Sequence, residues 1–155
     1  MVIELVEDGL QLKKLLKDLF KTQLFASLAT QQLTRPYSNL IAFAATQDLK
    51  EILFITRRQT HKYDNLLSNN SVSVLIDNRS NNDADFRNAI AVTAVGAAEE
   101  VKDSKRENLL QLYLAKHHSL GKFAHSPESA LFRIKVKKYI IVRNFQEVME
   151  LKVEG

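Results

Sequence analysis

The spacing of apolar residues changes along the chain from a helical to a strand-like period. Between residues 8 and 21, leucines and a phenylalanine lie mostly on one helical face with lysines between them. This predicts an amphipathic helix, with Asp8 as its N-cap. Short apolar runs and alternating residues follow, and they predict strands at 24–30, 37–45, 51–56, 71–76, 89–98 and 132–142.

The last predicted strand has the clearest alternation. Its apolar side ends in Ile140 and Val142, and Tyr139 is placed on the opposite, polar side. We expect a bend near Lys137-Lys138. Two more helices are predicted between strands, at 60–68 with Thr60 as the cap and at 104–117.

The connections between the predicted strands are mostly short, for example the hairpin turn at 47–50. Parallel strands need long crossover connections, so we predict an antiparallel sheet. An antiparallel barrel with helices packed around it accounts best for this order of elements. The fold class is therefore mainly β with peripheral helices.

Composition narrows the class of protein. The 155 residues suit one domain, 1–155, and their 45% hydrophobic content is enough for a core. The absence of cysteine excludes disulfides and thiolate metal sites. No signal peptide and no apolar run of about 20 residues is seen, so we expect a cytoplasmic protein. The net charge of +4 favours an anionic ligand only weakly.

One stretch combines a strand end, a polar turn and a helix start. The first amides of a helix lack internal partners and carry partial positive charge, so they attract anions. Hydroxyl and cationic side chains gather here: Thr56, Arg57, Arg58, Thr60, His61 and Lys62. The pattern indicates a phosphate site, and a solvated basic turn with an ordinary threonine cap is the alternative.

Two other stretches carry ligand-binding residue types. Tyr37-Ser38-Asn39 offers an aromatic face, a hydroxyl and an amide that suit a flat heteroaromatic ligand. The alternative is that Tyr37 packs and the other two face water. Asn78 and Arg79 follow a strand end, where they either face a ligand or serve the turn.

Together these segments resemble a known family. Leu28-Ala29-Thr30, Pro36-Tyr37, Phe54-Ile55-Thr56, Thr60-His61-Lys62 and Val95-Gly96-Ala97-Ala98-Glu99 occur in the order and spacing of the pyridoxamine 5′-phosphate oxidase-like FMN-binding split-barrel family. The later segments are similar to its small single-domain branch, so the resemblance covers most of the chain.

The resemblance implies a six-stranded split barrel over about 23–145 and a homodimer with FMN at the subunit interface. Thr60, His61 and Lys62 fall on the family's Ser-Arg-Lys phosphate motif, and Thr56 falls on its Thr. The strand that runs beside the isoalloxazine ring includes Asn39. The full set of cofactor-contacting candidates is Tyr37, Ser38, Asn39, Leu40, Ile41, Thr56, Arg57, Arg58, Thr60, His61, Lys62, Asn78 and Arg79.

The chain departs from the oxidase itself at several positions. Asn39 stands where the oxidase has Arg, Ala44 where it has Lys, and Ala91 near its flavin-contacting Gln. Arg57 or Arg58 could compensate at the phosphate. The segment that completes the oxidase's substrate site is not found after residue 145, so we expect an FMN-dependent oxidoreductase of unknown substrate and not a vitamin B6 oxidase. No catalytic residue is assigned.

Two other functions stay open. A haem-binding or haem-degrading protein on the same barrel would draw iron ligands from His61, His117, His118 and His125. A non-catalytic dimeric module would bind nucleic acid or a protein partner through the basic strip Arg133, Lys135, Lys137 and Lys138. A solvated outer strand face is the favoured interpretation of this strip. A metal site at the adjacent His117 and His118 is disfavoured because neighbouring side chains on a helix diverge.

Overall fold

The computed structural model describes residues 3–4 and 9–154, with side chains from residue 9 onward. Asp8 and the cap predicted for it lie outside this part. The strands are β1 (Ile3–Glu4), β2 (Phe25–Gln32), β3 (Arg35–Ala45), β4 (Glu51–Arg57), β5 (Ser71–Asp77), β6 (Ile90–Glu100), β7 (Ser129–Arg143) and β8 (Glu147–Lys152). The helices are α1 (Gly9–Thr22), α2 (His61–Ser68), α3 (Asp85–Asn88), α4 (Arg106–Lys116) and α5 (Gly121–Ala124), with a 3₁₀ turn at His118–Leu120.

Six of the described strands form a closed antiparallel barrel. The order is β7-β4-β3-β2-β5-β6, and β6 pairs with β7 to complete the circle. This confirms the predicted six-stranded antiparallel barrel with peripheral helices. The prediction missed β8, which extends the sheet beyond β7, and β1, which pairs in parallel with β8. β8 is short, with few buried residues, so its sequence carries little strand signal.

The barrel is split between β3 and β4. These strands pair only over Phe43–Ala45 and Ile52–Phe54. β3 continues back to Arg35 while paired with β2, and β4 continues to Arg57 while paired with β7. Residues 37–42 of β3 and 55–57 of β4 therefore border a gap, which we call the split.

A bulge in β7 reverses the alternation of its second half. Val95 pairs with Lys138 and Gly96 with Val136, so Lys137 is the extra residue. The backbones approach so closely that a Cβ on Gly96 would lie 2.2 Å from the carbonyl oxygen of Lys135. The bend predicted near Lys137-Lys138 is at this position.

The sides predicted after the bend are wrong. Tyr139 and Ile141 are buried, and Ile140 and Val142 are only half-buried. The Tyr139 hydroxyl donates to the Leu49 carbonyl oxygen at 2.7 Å. The reason is that one extra residue in a period-two pattern moves every later side chain to the other face.

The core fills the barrel and extends under α1. Buried apolar side chains from β2–β7 meet inside it, and one face of α1 packs on them through Leu12, Leu16, Leu19 and Phe20. A second apolar cluster lies outside the barrel, where α4 and α5 cover β4 and the first half of β7. No described helix is long and apolar enough to cross a membrane.

The basic strip on β7 is less solvated than predicted. Arg133 lies on the outer face as expected, but it is buried. Its guanidinium donates to Glu99 at 2.7 Å and to Asp103 at 2.8 Å. Lys135 also pairs with Glu99, at 3.1 Å. Carboxylates from the β6–α4 segment therefore neutralise much of the strip.

Candidate functional site

The turn between β4 and α2 has the geometry of a helix N-terminus with a side-chain cap. The Thr60 hydroxyl accepts a hydrogen bond from the Tyr63 amide at 3.1 Å and donates to the Arg57 carbonyl oxygen at 2.9 Å. This confirms the predicted cap. The Asp64 amide donates to the Thr60 carbonyl oxygen at 3.2 Å, whereas the amides of His61 and Lys62 precede this first intrahelical bond, and the helix dipole is positive there. His61 begins the helix and is exposed.

Lys62 supplies a cation in the same turn. Its side chain is half-buried, and burial lowers the pKa of its ammonium group. Within residues 9–154, no carboxylate oxygen lies within 4 Å of that group. A partly desolvated cation without a counterion at a helix N-terminus is well suited to bind an anion.

The Thr56 hydroxyl lies at the end of β4, directly before this turn. Its side chain is buried, and its contacts to the Thr60 hydroxyl and the Arg57 carbonyl oxygen are both 3.4 Å. Such lengths are at the weak limit for hydrogen bonds between oxygens. Thr56 therefore retains capacity to bond a ligand oxygen.

The two arginines of the turn differ in their partners. Arg58 Nη1 donates to both carboxylate oxygens of Glu100 at 2.9 Å and to the Tyr63 hydroxyl at 3.2 Å. The Tyr63 hydroxyl donates in turn to Glu100 at 3.1 Å. Arg57 is largely exposed, and its contact with Glu128 is 3.9 Å long. Its guanidinium also lies 5.8 Å from the centre of the Phe123 ring. Arg57 is therefore held less tightly than Arg58 and is the arginine better able to turn toward a ligand.

The other predicted segment lies on β3, across the split from Thr56. Ser38 and Leu40 point outward, whereas Asn39 and Ile41 share the inner side with Leu28 and Ala26 of β2. Ile41 is buried, and Leu40 is 69% exposed.

A hydrogen bond ties α2 to this region. The Asn65 amide donates to the Thr30 hydroxyl at 3.2 Å, and Thr30 pairs with Tyr37. The body of α2 therefore lies near the start of β3, and the two predicted segments flank one gap.

Helix α4 closes one end of the split. The Tyr113 hydroxyl donates to the Ala42 carbonyl oxygen at 3.0 Å, and His117 Nε2 donates to that of Phe43 at 2.8 Å. Residues 37–41 have no described strand partner on their β4 side. That edge presents backbone groups to a ligand in the split.

Asn78 and Arg79 follow the end of β5 that is remote from α2. β5 begins at Ser71, just after α2, and ends at Asp77, about 20 Å away at the usual rise of a strand. The Asn78 side chain accepts from the Ile90 amide at 2.7 Å, and Arg79 pairs with Asp77 at 3.0 Å. Arg79 borders a cavity of about 380 Å³ that also touches Leu40.

One surface of the barrel that the sequence did not predict carries no described helix. We call it the open face: the outward side of β2, β3, β5 and β6. Leu40, Ser27, Leu75 and Thr93 are paired across these strands and form one row. Most outward side chains here are small, and Phe25, Leu40 and Leu75 are exposed apolar ones. Ser and Ala at the outward positions of the predicted strands were the available signal.

The histidines are separated or engaged. Besides the His117 bond to Phe43, His125 Nδ1 contacts the Gly121 carbonyl oxygen at 2.8 Å. Burial lowers the pKa of His117, and the neighbouring Lys116 lowers it further. Among the residues that the structure describes, no group of three His, Asp or Glu side chains is placed to hold a metal ion.

The chain is similar to known proteins in sequence and in fold. A sequence model of the pyridoxamine 5′-phosphate oxidase family matches residues 12–143. No curated protein matches the chain. Solved structures share the fold, including general stress protein 26 from Bacillus anthracis, with TM-score 0.70, 19% identity, and coverage of 92% of this chain and 99% of that one.

Two further structures bind different cofactors. A haem-binding protein from Mycobacterium smegmatis has TM-score 0.80 and 11% identity, covering 96% of this chain and 59% of its own. An FAD-binding protein from Mesorhizobium loti has TM-score 0.67 and 15% identity, covering 87% and 92%. At such identities the likeness shows the fold alone, so the cofactor must be argued from the residues.

Proposed function

Because the chain belongs to the pyridoxamine 5′-phosphate oxidase family, we propose that it is a cytoplasmic FMN-binding flavoprotein that acts as an oxidoreductase. The observation that carries the proposal is Lys62, a half-buried cation at the start of α2 with no carboxylate within 4 Å in the described chain. A ribityl phosphate would supply the missing counterion.

The residues of this corner are chemically suited to a phosphate. Lys62 contributes charge, Thr56 a buried hydroxyl with weak existing bonds, and α2 its unpaired amides. Arg57 takes the role that an arginine at position 39 has in the oxidase. Arg58 does not, because Glu100 and Tyr63 already hold its guanidinium.

The isoalloxazine ring would lie along the β3 side of the split. Residues 37–41 offer backbone donors and acceptors on the edge that β4 does not pair with. The flavin would supply the redox chemistry when bound. The chain would bind and orient it and exclude water from it.

A homodimer through the open face is part of the proposal. Exposed Phe25, Leu40 and Leu75 among small side chains would let a second barrel approach closely. Asn78 and Arg79 follow the end of β5 that is remote from α2, and Arg79 borders a cavity beside Leu40 on the open face. We therefore assign them to the flavin of the second copy.

Haem is the second candidate, on the strength of the haem-binding fold neighbour. It is disfavoured by the residues, since His117 donates to Phe43 and is buried. His61, His118 and His125 are exposed, and an iron ligand would have to come from these three. A Soret band on haem titration, without flavin uptake, would favour this function.

The test is FMN titration of the full chain, followed by the visible spectrum and by quenching of flavin fluorescence. We expect Lys62→Met to weaken FMN binding about 10- to 100-fold, the usual worth of a hydrogen bond to a charged group. Arg58→Met is the matched control: it removes a neighbouring cation that is bonded internally. It should lower stability and leave the FMN dissociation constant within about twofold.

The proposal fails if the purified protein takes up no FMN. The phosphate assignment alone fails if Lys62→Met binds FMN as tightly as the unmodified protein. The same assignment fails if Arg58→Met weakens FMN binding as much as Lys62→Met while remaining folded.

A further inference from the structure

A separate cavity lies where α1, the β3–β4 hairpin and α4 meet. Its volume is about 640 Å³. Its wall combines apolar side chains with polar and charged ones. The lining consists of Lys17, Asp18, Phe20, Lys21, Ala44, Ala45, Thr46, Gln47, Leu49, Leu112, Ala115 and Lys116. The phosphate corner of α2 contributes none of these residues.

Lys116 is the charged group set deepest in this cavity. It is half-buried, whereas Lys17, Asp18 and Lys21 are exposed. Its ammonium donates to the Phe20 carbonyl oxygen at 2.7 Å and lies 3.8 Å from the centre of the Phe43 ring. In the described chain no carboxylate lies within 4 Å of it.

These partners give the ammonium no full counter-charge. The carbonyl at the C-terminal end of α1 and the aromatic face carry only partial negative charge. Burial lowers the pKa of Lys116 to about 8, in line with this lack of a counterion. An anion in the cavity would stabilise it.

The charged and apolar residues around Lys116 indicate the kind of anion that the cavity would bind. Lys17 and Lys21 are one turn apart on α1 and add two positive charges to that of Lys116. Asp18, on the same cavity, offsets one of these charges. The accessible apolar lining, with Leu112, Ala45 and Ala115, suits a hydrocarbon or aromatic body, and it favours an anion that carries such a body over a small hydrophilic one.

We propose that this cavity binds a small monocarboxylate with an apolar body, whose carboxylate pairs with Lys116. The apolar body lies against Leu112, Ala45 and Ala115. This site is independent of the proposed FMN site, and either can exist without the other.

The test uses two probes of equal size and different charge, 2-naphthoate and neutral 2-naphthamide. Each is titrated into the full chain, with and without FMN, and followed by probe fluorescence and calorimetry. We expect 2-naphthoate to bind with a dissociation constant below about 1 mM and 2-naphthamide at least tenfold more weakly. FMN should not displace 2-naphthoate.

Three variants locate the binding. Lys116→Met keeps the apolar stem and should weaken 2-naphthoate about tenfold or more. Asp18→Asn removes the opposing charge and should strengthen it about twofold. Lys13→Met makes the same charge change on α1 as Lys116→Met does on α4, but Lys13 is exposed and outside the cavity, so its effect should stay within about twofold.

The two probes need no variant, so the test stands even if Lys116→Met does not fold. Equal binding of both probes, or no saturable binding of 2-naphthoate, would overturn the proposal. So would displacement by FMN, preference for inorganic phosphate over 2-naphthoate, or an unchanged affinity in a folded Lys116→Met protein.

Discussion

The outer surface of the barrel has two halves, both formed by alternate residues of the strands. Helices cover one half, and the other half is exposed. Around β4 and the first part of β7, the outward residues are large and apolar, such as Leu53, Ile55 and Leu131, and α4 and α5 bury them. On the open face the outward residues are small or polar, with exposed Phe25 and Leu40 between them.

We expect the covered half to contribute to the stability of the fold and the open face to contribute to association. The covered half removes its apolar area from water within the chain, which stabilises the fold directly. The open face leaves sheet surface that no described helix covers and that a second molecule could cover. Mutations of similar chemistry should therefore act on unfolding in one half and on assembly in the other.

The largest expected effect comes from truncating leucines in the two halves. Leu53→Ala empties a fully buried position and should cost about 2–5 kcal/mol of unfolding free energy. Leu40→Ala, at a 69% exposed position, should change the stability of the monomer by no more than about 0.5 kcal/mol. Urea unfolding at low protein concentration measures both. Equal losses would contradict the division into covered and open halves.

An intermediate effect is expected on assembly. Leu40→Glu places a charge at the β3 end of the row formed by Leu40, Ser27, Leu75 and Thr93. It should weaken the homodimer at least about tenfold, because a twofold interface repeats the charge on both copies. Sedimentation velocity over a concentration series measures this. Gln111→Glu, which adds the same charge on the exposed side of α4, is the control and should not shift the association.

The smallest effect is a pH dependence confined to the covered half. His117 is buried with a lowered pKa, so the unfolded chain binds more protons once the pH falls below about 6.5. Stability should therefore be lost as the pH falls from 6.5 toward the folded pKa, by at most about 1.4 kcal/mol per pH unit. Urea unfolding at pH 7.5 and 5.5 measures it.

His117→Gln provides the comparison for this effect. Glutamine retains an N–H donor that can reach the Phe43 carbonyl oxygen but does not titrate. The variant should lose less stability than the unmodified protein between the two pH values. An identical loss would mean that His117 is not the responsible group.

Most of the fold could be predicted because its strands show their period locally. The barrel strands, the helices α2 and α4 and the β3–β4 hairpin all lie near their predicted positions. The errors arise where strand pairing with residues distant in sequence determines the local structure. The bulge opposite Gly96 reverses the sides of Tyr139 and Ile140, and β8 exists because β7 offers it an edge.

The candidate site was predictable in part. The cap at Thr60 follows from local chemistry, since a hydroxyl before a helix bonds amides two or three residues later. The different partners of Arg57 and Arg58 could not be predicted, because Glu100 is 42 residues from Arg58 along the chain. The cavity at Lys116 was equally hidden, since three separate elements build it.

By itself the sequence determined the antiparallel barrel, the cap and cationic first turn of α2, and a resemblance whose family is confirmed by the match over residues 12–143. Those features depend on neighbouring residues and on periods of two and 3.6. Only the tertiary structure decided which cations have a counterion, which half of the barrel is covered, and where β3 and β4 part. Burial and charge pairing depend on residues that are distant in sequence and adjacent in space, and a local pattern does not record them.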